Sequence, residues 1–280
     1  MTAVLGTNIA SLYASNNLQS AQSNMANSVE RLSSGLRINR ARDDAAGLGI
    51  ANALTQQING ANQGIKNLND GISMVQTAEG AIQAASDMAQ RIMALATQGA
   101  NGSLSTAGRT SIKNELTVLL ASIDKIKSRT MFNGITLLAA PTITIASSNV
   151  VTDTIDISAG LTDISTAAGA GGAALNTVIN ALANTAGSTW TDVMTAASSY
   201  ITALDTQRGK LGALQNQMDY SVANISELSS NLQSARSRVM DTDYASETAS
   251  LTKGQILQQA ATAMLAQANQ MPNVILTLLK

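Results

Sequence analysis

The chain of 280 residues contains no cysteine and no histidine. Without cysteine there is no disulfide framework, no thiolate nucleophile and no cysteine-based zinc site. Without histidine the chain lacks the most common general base and the most common metal ligand. An enzyme would have to rely on Asp, Glu, Lys or Ser alone. We therefore predict no catalytic residue, no cofactor and no metal.

Aromatic residues are also scarce, with one Phe, one Trp and four Tyr. The apolar residues are instead Ala, Leu, Ile, Met and Val, a composition typical of long packed helices. The net charge is −1, from 17 basic and 18 acidic residues, so no global field attracts nucleic acid or anionic lipid. The start of the chain lacks the basic and continuous apolar regions of a signal peptide. We predict no nucleic-acid or membrane partner, and either a cytoplasmic location or export by another route.

The C-terminal stretch has no charged side chain between Lys253 and Lys280. Its apolar residues recur at alternating steps of four and three, the pattern of a helix that packs against other helices. Pro272 is expected to kink or interrupt this helix in isolation. The predicted seam consists of Leu257, Ala261, Met264, Ala268, Met271, Ile275 and Leu278.

The N-terminal stretch has the same character, with no side-chain charge from Met1 to Val29. Its helical stripe is formed by Leu18, Ala21, Met25, Leu32 and Leu36. Neither stripe can be buried alone, so we expect the two ends to pair. Their uncharged outer faces would then still need partners, which further copies of the same chain can supply.

Two charged junctions separate these ends from the interior. The first contains Arg37, Arg40, Arg42, Asp43 and Asp44, and the second contains Arg236, Arg238, Asp241 and Asp243. Asp43 or Asp44 is placed to cap the following helix. We interpret both junctions as hinges between helices, because adjacent aspartates alone do not form a metal coordination sphere.

The interior begins and ends with long predicted helices, because apolar residues recur there at steps of three and four. One spans 54–96, a shorter one spans 112–126, and one runs from about Thr189 to Val239 with a gap at Gln207 and Arg208. Glycine within a helix costs roughly 1 kcal/mol against alanine, so glycines in the first helix indicate close approach of other helices. They are Gly60, Gly64, Gly71 and Gly80.

The middle of the chain is expected to be different. The Asn133-Gly134 pair between apolar residues predicts a hairpin turn, and the β-branched residues at 142–145 and 150–157 predict short strands. The Ala/Gly run 167–174 predicts a loop.

The predicted fold is mainly α: a long antiparallel helical bundle or coiled coil, folded back as a hairpin, with a small β-hairpin region in the middle. We divide the chain into an N-terminal helix (1–42), the first part of a bundle with its hairpin (43–138), a variable solvent-facing segment (139–188), the last bundle helix (189–240) and a C-terminal helix (241–280).

Several motifs in the first half and last third of the chain resemble those of bacterial flagellins. In the first half they are Glu30–Asn39, Asp43–Gly47, Asn69–Ser73, Thr77–Ala81 and Phe132–Gly134. In the last third they are Ser234–Arg238, Asp241–Ala245, Gln255–Ala260 and Leu265–Gln270.

The resemblance implies a structural subunit that self-assembles into the extracellular flagellar filament used for swimming. It implies export as an unfolded chain through the flagellar type III apparatus with a chaperone, and contact with filament cap and hook-junction proteins. The terminal segments would be disordered in the free subunit and form the filament core in the polymer. The expected core residues are Leu18, Met25, Leu32, Leu257, Ala261, Met264, Ala268, Met271, Ile275 and Leu278.

Some flagellins are recognised by the innate receptor TLR5 through their helical domain. Arg91, Leu95 and Glu115 stand at the corresponding positions. Met93-Ala94, however, stands where the family usually has Arg-Glu. We therefore favour contact between subunits as the role of this region over receptor binding.

Two other readings remain open. A hook–filament junction protein would share the terminal pattern but would occur in few copies and would not form long filaments. A secreted enzyme would need a site in the middle segment, where Asp153, Asp156 and Asp163 are the only clustered carboxylates. A solvated loop accounts better for these three residues.

Overall fold

The computed structural model describes residues 8–148, 152–165, 171–182 and 188–278, apart from the side chains of 188 and 271–278. Six α-helices lie in these ranges, which confirms the mainly α prediction. They are α1 (Ile9–Ser34), α2 (Ala45–Gly99), α3 (Thr106–Arg129), α4 (Gly172–Asn180), α5 (Ser188–Met240) and α6 (Tyr244–Leu278). Four short strands are β1 (Met131–Phe132), β2 (Ile135–Thr136), β3 (Thr144–Ala146) and β4 (Thr154–Asp156).

The chain divides into two compact units. One consists of Met1–Gln56 with Asn231–Lys280, and the other of Gln57–Ser230. The first unit contains the candidate functional site and is described in the next subsection. The five-segment division made from the sequence stays a prediction.

The unit Gln57–Ser230 is built on α2 and α5, which run antiparallel. Near one end the Ser229 hydroxyl donates to Asn62 Oδ1 at 3.1 Å, and near the other the Thr97 hydroxyl contacts Met194 Sδ at 3.3 Å. Side chains on the facing stripes are fully buried because they recur at sums of three-residue and four-residue steps, which keep them on one face of each helix. They include Leu68, Ile82, Ile92, Trp190, Tyr200, Leu204, Leu211 and Met218.

Glycines mark two close approaches on α2. A Cβ at Gly64 would lie 1.8 Å from the Ser147 carbonyl oxygen, so the backbone after β3 packs directly on the helix. A Cβ at Gly99 would lie 2.1 Å from the Trp190 ring. The expectation of close approach holds at Gly64, although the neighbour there is not a helix, and at Gly71, where a Cβ would lie 3.0 Å from Met218 Sδ of α5. It is wrong at Gly80, where a Cβ would meet nothing within 4 Å.

The predicted hairpin is present between α3 and the middle segment. Met131 pairs with Thr136 and Phe132 with Ile135 in antiparallel register. Asn133 and Gly134 both have positive φ, 48° and 82°, as a two-residue turn between twisted strands requires.

The middle segment was expected to face solvent, but several of its apolar side chains are buried in the core. The predicted strands are present as the antiparallel pair β3 and β4. Alternation places one side chain of each strand inward, and apolar residues after β4 are also covered. The buried side chains are Ile145, Ile155, Ile157, Leu161, Ile164, Leu175, Ile179 and Leu182.

The Ala/Gly run predicted as a loop is partly helical. Residues 166–170 lie outside the described residues, but α4 begins at Gly172, directly after Gly171 with φ 84°. The prediction was wrong for 172–174 because alanines favour a helix once Leu175 and Ile179 provide a buried face.

Polar side chains of α5 donate hydrogen bonds to the backbone of the middle segment. Gln207 Nε2 donates to the carbonyls of Gly160 at 3.2 Å and Thr162 at 3.1 Å. The Tyr200 hydroxyl donates to the Ile164 carbonyl at 2.7 Å, and burial raises the pKa of that hydroxyl. Gln207 therefore interrupts the apolar pattern because it faces backbone carbonyls that need donors.

Replacing Gly99 by alanine tests the packing at the end of α2. The added methyl group has to displace the Trp190 ring, so we expect Gly99→Ala to lower the free energy of unfolding by about 1–3 kcal/mol. Gly80→Ala is the matched control and should raise it by roughly 0.5–1 kcal/mol. Urea unfolding followed by tryptophan fluorescence measures both. Equal stability of Gly99→Ala and the unchanged chain would contradict this packing.

The ion pair between Lys127 Nζ and Asp163 Oδ2, at 2.9 Å, predicts a pH dependence. Burial raises the pKa of Asp163, but hydrogen bonds from Lys127 and Ser165 outweigh burial and hold the pKa below the usual value of an aspartate. The resulting stabilisation is present above the unfolded pKa and is lost as the pH falls through the folded one.

Unfolding followed from pH 7 to pH 2 should therefore show less acid destabilisation for Asp163→Asn than for the unchanged chain. Asp205→Asn, on the exposed face of α5, is the control and should leave the profile unaltered. An Asp163→Asn profile that overlays that of the unchanged chain would show that this ion pair does not stabilise the fold.

Candidate functional site: the terminal helix pair

The terminal helices α1 and α6 pack against each other in antiparallel orientation. Asn8, the N-cap of α1, donates from Nδ2 to the Ala268 carbonyl at 2.8 Å. At the other end of the pair the Tyr244 hydroxyl donates to the Leu32 carbonyl at 3.3 Å. The predicted pairing of the two chain ends is thus present.

Small residues repeat every seventh position along the contact. On α1 they are the buried Ala14, Ala21 and Ser28, and on α6 they are Gly254, Ala261 and Ala268. A Cβ at Gly254 would already lie 3.5 Å from Met25 Cβ. Such residues let two helices approach closely, while larger half-buried ones fill the positions between. These larger residues are Leu18, Met25, Leu32, Leu251, Gln258 and Leu265.

The seam of α6 that faces α1 is not the one predicted. Ala261 and Ala268 belong to it, but Leu257 is 48% exposed and Met264 is 66% exposed. At 100° per residue, these two lie about 60° around the helix from the small-residue positions. The predicted row differs from the row that contacts α1 because it counted large apolar residues and not Gly254, whose size permits that contact. The role of the predicted row in the filament core stays a prediction. The side chains of Met271, Ile275 and Leu278 lie outside the described residues, and α6 continues through Pro272.

Leu257 and Met264 form an apolar row that α1 leaves uncovered, here called the outer stripe. Other large apolar side chains of the pair are exposed as well. They are Ile9 at 53%, Leu12 at 59%, Tyr13 at 68%, Val29 at 50% and Ile256 at 60%. Single exposed apolar residues are ordinary, but Ile9, Leu12 and Tyr13 fall within the first five residues of α1, and Ile256 and Leu257 are adjacent on α6. Such groups of apolar residues mark an interaction surface. This helix pair therefore has an apolar surface suited to packing against further helices.

Both charged junctions lie together and are joined by backbone hydrogen bonds. Leu36 and Asp241 form an antiparallel bridge, flanked by Arg37 N–H to the Met240 carbonyl at 2.6 Å and Thr242 N–H to the Gly35 carbonyl at 3.0 Å. The Arg37 guanidinium donates to the Val239 carbonyl at 2.7 Å. Its positive charge is also favourable there, because the C-terminal end of a helix such as α5 carries a partial negative charge. The two connecting segments therefore hold each other.

Aspartates of the junctions cap the helices that follow them. Asp44 Oδ1 accepts from Gly47 N–H at 2.8 Å at the start of α2, and Asp243 Oδ1 accepts from Ala245 N–H at 2.9 Å at the start of α6. Asp43 instead closes the connecting loop by accepting from Arg40 N–H at 2.9 Å. That hydrogen bond is the main reason why the pKa of Asp43 lies below its usual value.

The remaining junction arginines have simpler surroundings. Arg40 forms an ion pair with Glu30 at 2.7 Å, and Arg42 lies 3.6 Å from the Asp43 carboxylate. Arg236 is half-buried and Arg238 is exposed on the last turns of α5. The described part of the chain holds no cluster of three metal-ligating side chains and no helix long and apolar enough to cross a membrane.

The positions corresponding to the receptor site lie in the other unit. Arg91 donates twice to Glu115 Oε1, at 3.1 and 2.8 Å, and both side chains are exposed. Leu95, by contrast, is only 2% exposed. A contact role for Leu95 is wrong, because the phase of α2 turns this position into the core.

Sequence reasoning missed several contacts of the helix pair. Arg31 lies 3.7 Å from the Glu247 carboxylate, and the Ser11 hydroxyl donates to Asn269 Oδ1 at 3.1 Å. The seven-residue repeat of Ala14, Ala21 and Ser28 was the available signal for the correct seam.

Comparison with known proteins agrees with this architecture. The family model of the bacterial flagellin N-terminal helical region matches residues 5–142, and that of the C-terminal helical region matches residues 194–279. A flagellin of Bacillus subtilis is 39% identical over 299 aligned residues, covering 98% of each chain. The flagellar filament 33 kDa core protein of Treponema phagedenis is 36% identical, covering 99% of this chain and all of its own.

Among solved structures, the crystal structure of Bacillus cereus flagellin aligns with a TM-score of 0.47 and 23% identity, covering 61% of this chain and 94% of that one. The two family models together span most of the sequence, one at each end. The chain belongs to the bacterial flagellin family.

Proposed function

We propose that this protein is the repeating structural subunit of the bacterial flagellar filament, located outside the cell and used for motility. The observation that carries the proposal is the outer stripe, Leu257 and Met264, which α1 leaves uncovered. This stripe lies on the segment between Lys253 and Lys280, which has no charged side chain. Family membership supports the same conclusion. A structural role also accounts for a chain without cysteine or histidine.

In the polymer, each α6 would use two neighbouring seams. Gly254, Ala261 and Ala268 face α1 of the same chain, and the outer stripe would face helices of other copies. A helix with two adjacent heptad seams is suited to an assembly of more than two helices. The filament core would thus be built from many such pairs.

The same energetics favour ends that become ordered only on assembly. Fixing the backbone of one residue costs about 1–2 kcal/mol, and some 60 terminal residues are involved. One narrow seam of small side chains buries little apolar area to offset this cost. We infer that α1 and α6 are largely unfolded in the free subunit and that contacts with other copies complete them.

Further partners follow from family membership. A filament subunit would pass through the flagellar export apparatus with a chaperone and would meet the filament cap and the hook-junction proteins. For the Arg91–Glu115 ion pair we favour contact between subunits, because both groups are exposed. Recognition by TLR5 would have to rely on these two residues without Leu95.

A charge in the outer stripe tests the proposal. Leu257→Lys places an ammonium group where neighbouring copies would bury it, and burying an unpaired charge costs several kcal/mol. We expect the critical concentration for filament growth to rise by roughly 100-fold or more. Light scattering and electron microscopy of the purified full-length protein measure growth.

Leu257→Met keeps the apolar character and should assemble like the unchanged chain. Because Leu257 is half exposed in the single chain, neither substitution should alter Trp190 fluorescence or urea unfolding of the unit Gln57–Ser230. Normal filament growth by Leu257→Lys would contradict the proposed role of the stripe.

A further inference from the structure

Met264 is the most exposed methionine among those whose side chains the structure describes. It is 66% exposed, compared with 50% for Met131 and 39% for Met93. Met74 and Met218 are buried, and Met25, Met88, Met194 and Met240 are half-buried. Within the folded helix pair, Met264 is therefore more open to solvent than any of these residues.

The position of Met264 makes its polarity matter for assembly. It lies in the outer stripe, seven residues after Leu257, and the residues beside it are Ala263 and Leu265. No charged side chain stands within ten residues of it. A polar group formed at this position would be buried on assembly against an apolar surface that offers few hydrogen-bond donors, which is unfavourable.

The chain offers peroxides no thiol and eleven methionine thioethers. It contains no cysteine, and thiolates are normally the first side chains that peroxides oxidise. Methionine thioethers come next, and their oxidation to the sulfoxide is reversible by reductases.

We propose that Met264 is an oxidation site that controls polymerisation, so that peroxide stops growth by acting on free subunits. This inference rests on the proposed function. The sulfur lone pair attacks one peroxide oxygen, and the S–O bond forms as the O–O bond breaks. Sulfur loses two electrons, and the departing hydroxide takes the proton of the newly sulfur-bound hydroxyl, which leaves a sulfoxide and one water molecule.

The sulfoxide converts a flexible apolar side chain into a polar one that accepts strong hydrogen bonds. In the free subunit this costs little, because the side chain is mostly in water. In the filament the same group would be buried against neighbouring copies. Oxidation therefore disfavours the assembled state selectively, and assembled subunits are protected because their Met264 is covered.

The first test uses the purified full-length protein without any substitution. The protein is treated with hydrogen peroxide at a dose that oxidises about half of the molecules at Met264. After quenching, polymerisation is allowed and filaments are pelleted. Peptide mass spectrometry then gives the sulfoxide fraction at each methionine in pellet and supernatant. We expect Met264 sulfoxide to be enriched roughly tenfold in the supernatant, and Met131 sulfoxide to divide equally.

Variants provide the second arm. Met264→Leu should polymerise normally and retain more growth after peroxide than the unchanged chain, whereas Met131→Leu should lose growth as the unchanged chain does. Treatment of the oxidised protein with methionine sulfoxide reductase and a dithiol should restore growth. Because there is no disulfide to reduce, the dithiol alone should have no effect.

The proposal is overturned if Met264 sulfoxide divides equally between pellet and supernatant, or if Met264→Leu remains as sensitive to peroxide as the unchanged chain. Either result leaves the proposed function intact, because untreated protein still forms filaments. Failure of untreated protein to polymerise under any condition would instead overturn the filament proposal itself.

Discussion

The contact between α1 and α6 is the interaction on which the rest of the account depends. Small residues every seventh position, such as Ala21 and Gly254, allow the two helices to approach closely along one narrow seam. A narrow seam buries little surface, so it leaves large apolar residues uncovered on the same helices. This combination explains how a pair of helices can be specific in its pairing and still incomplete without other copies.

The junctions and the unit Gln57–Ser230 have features that the terminal helix pair lacks: backbone pairing between distant segments in the junctions, and a large buried core in the unit. In the junctions the bridge between Leu36 and Asp241 ties both connecting segments together, which brings the two chain ends into one place. The unit Gln57–Ser230 has a core with fully buried Trp190 and Tyr200 and with polar side chains that satisfy the backbone of the middle segment. The protein thus joins a bundle with a large buried core to terminal helices that, in the proposed function, are completed by neighbouring copies.

The long helices, the Asn133-Gly134 hairpin and the cap at Asp44 could be predicted from the sequence, because local periodicity and turn chemistry determine them. The side of α1 that faces α6 could also be predicted, because the predicted Leu18, Ala21, Met25 and Leu32 lie in that contact. The side of α6 that faces α1 could not. The sequence stripe of α6 favoured Leu257 and Met264, but close approach at Gly254 rotates the contact away from both. Leu95 was misassigned for a similar reason, since its motif position said nothing about the side of α2 that is buried. The middle segment was underestimated because its buried contacts join residues far apart in sequence, as Gln207 and Gly160 are.

The central claim is that the terminal helices are completed by neighbouring copies. Amide hydrogen exchange measured on free subunits and on filaments tests it most directly, because exchange reports local opening residue by residue. The account predicts weak protection of Ile9–Ser34 and Tyr244–Leu278 in the free subunit, strong protection in the filament, and similar protection of the α2 and α5 core in both states. Equal protection of the terminal helices in free subunits and filaments would contradict it.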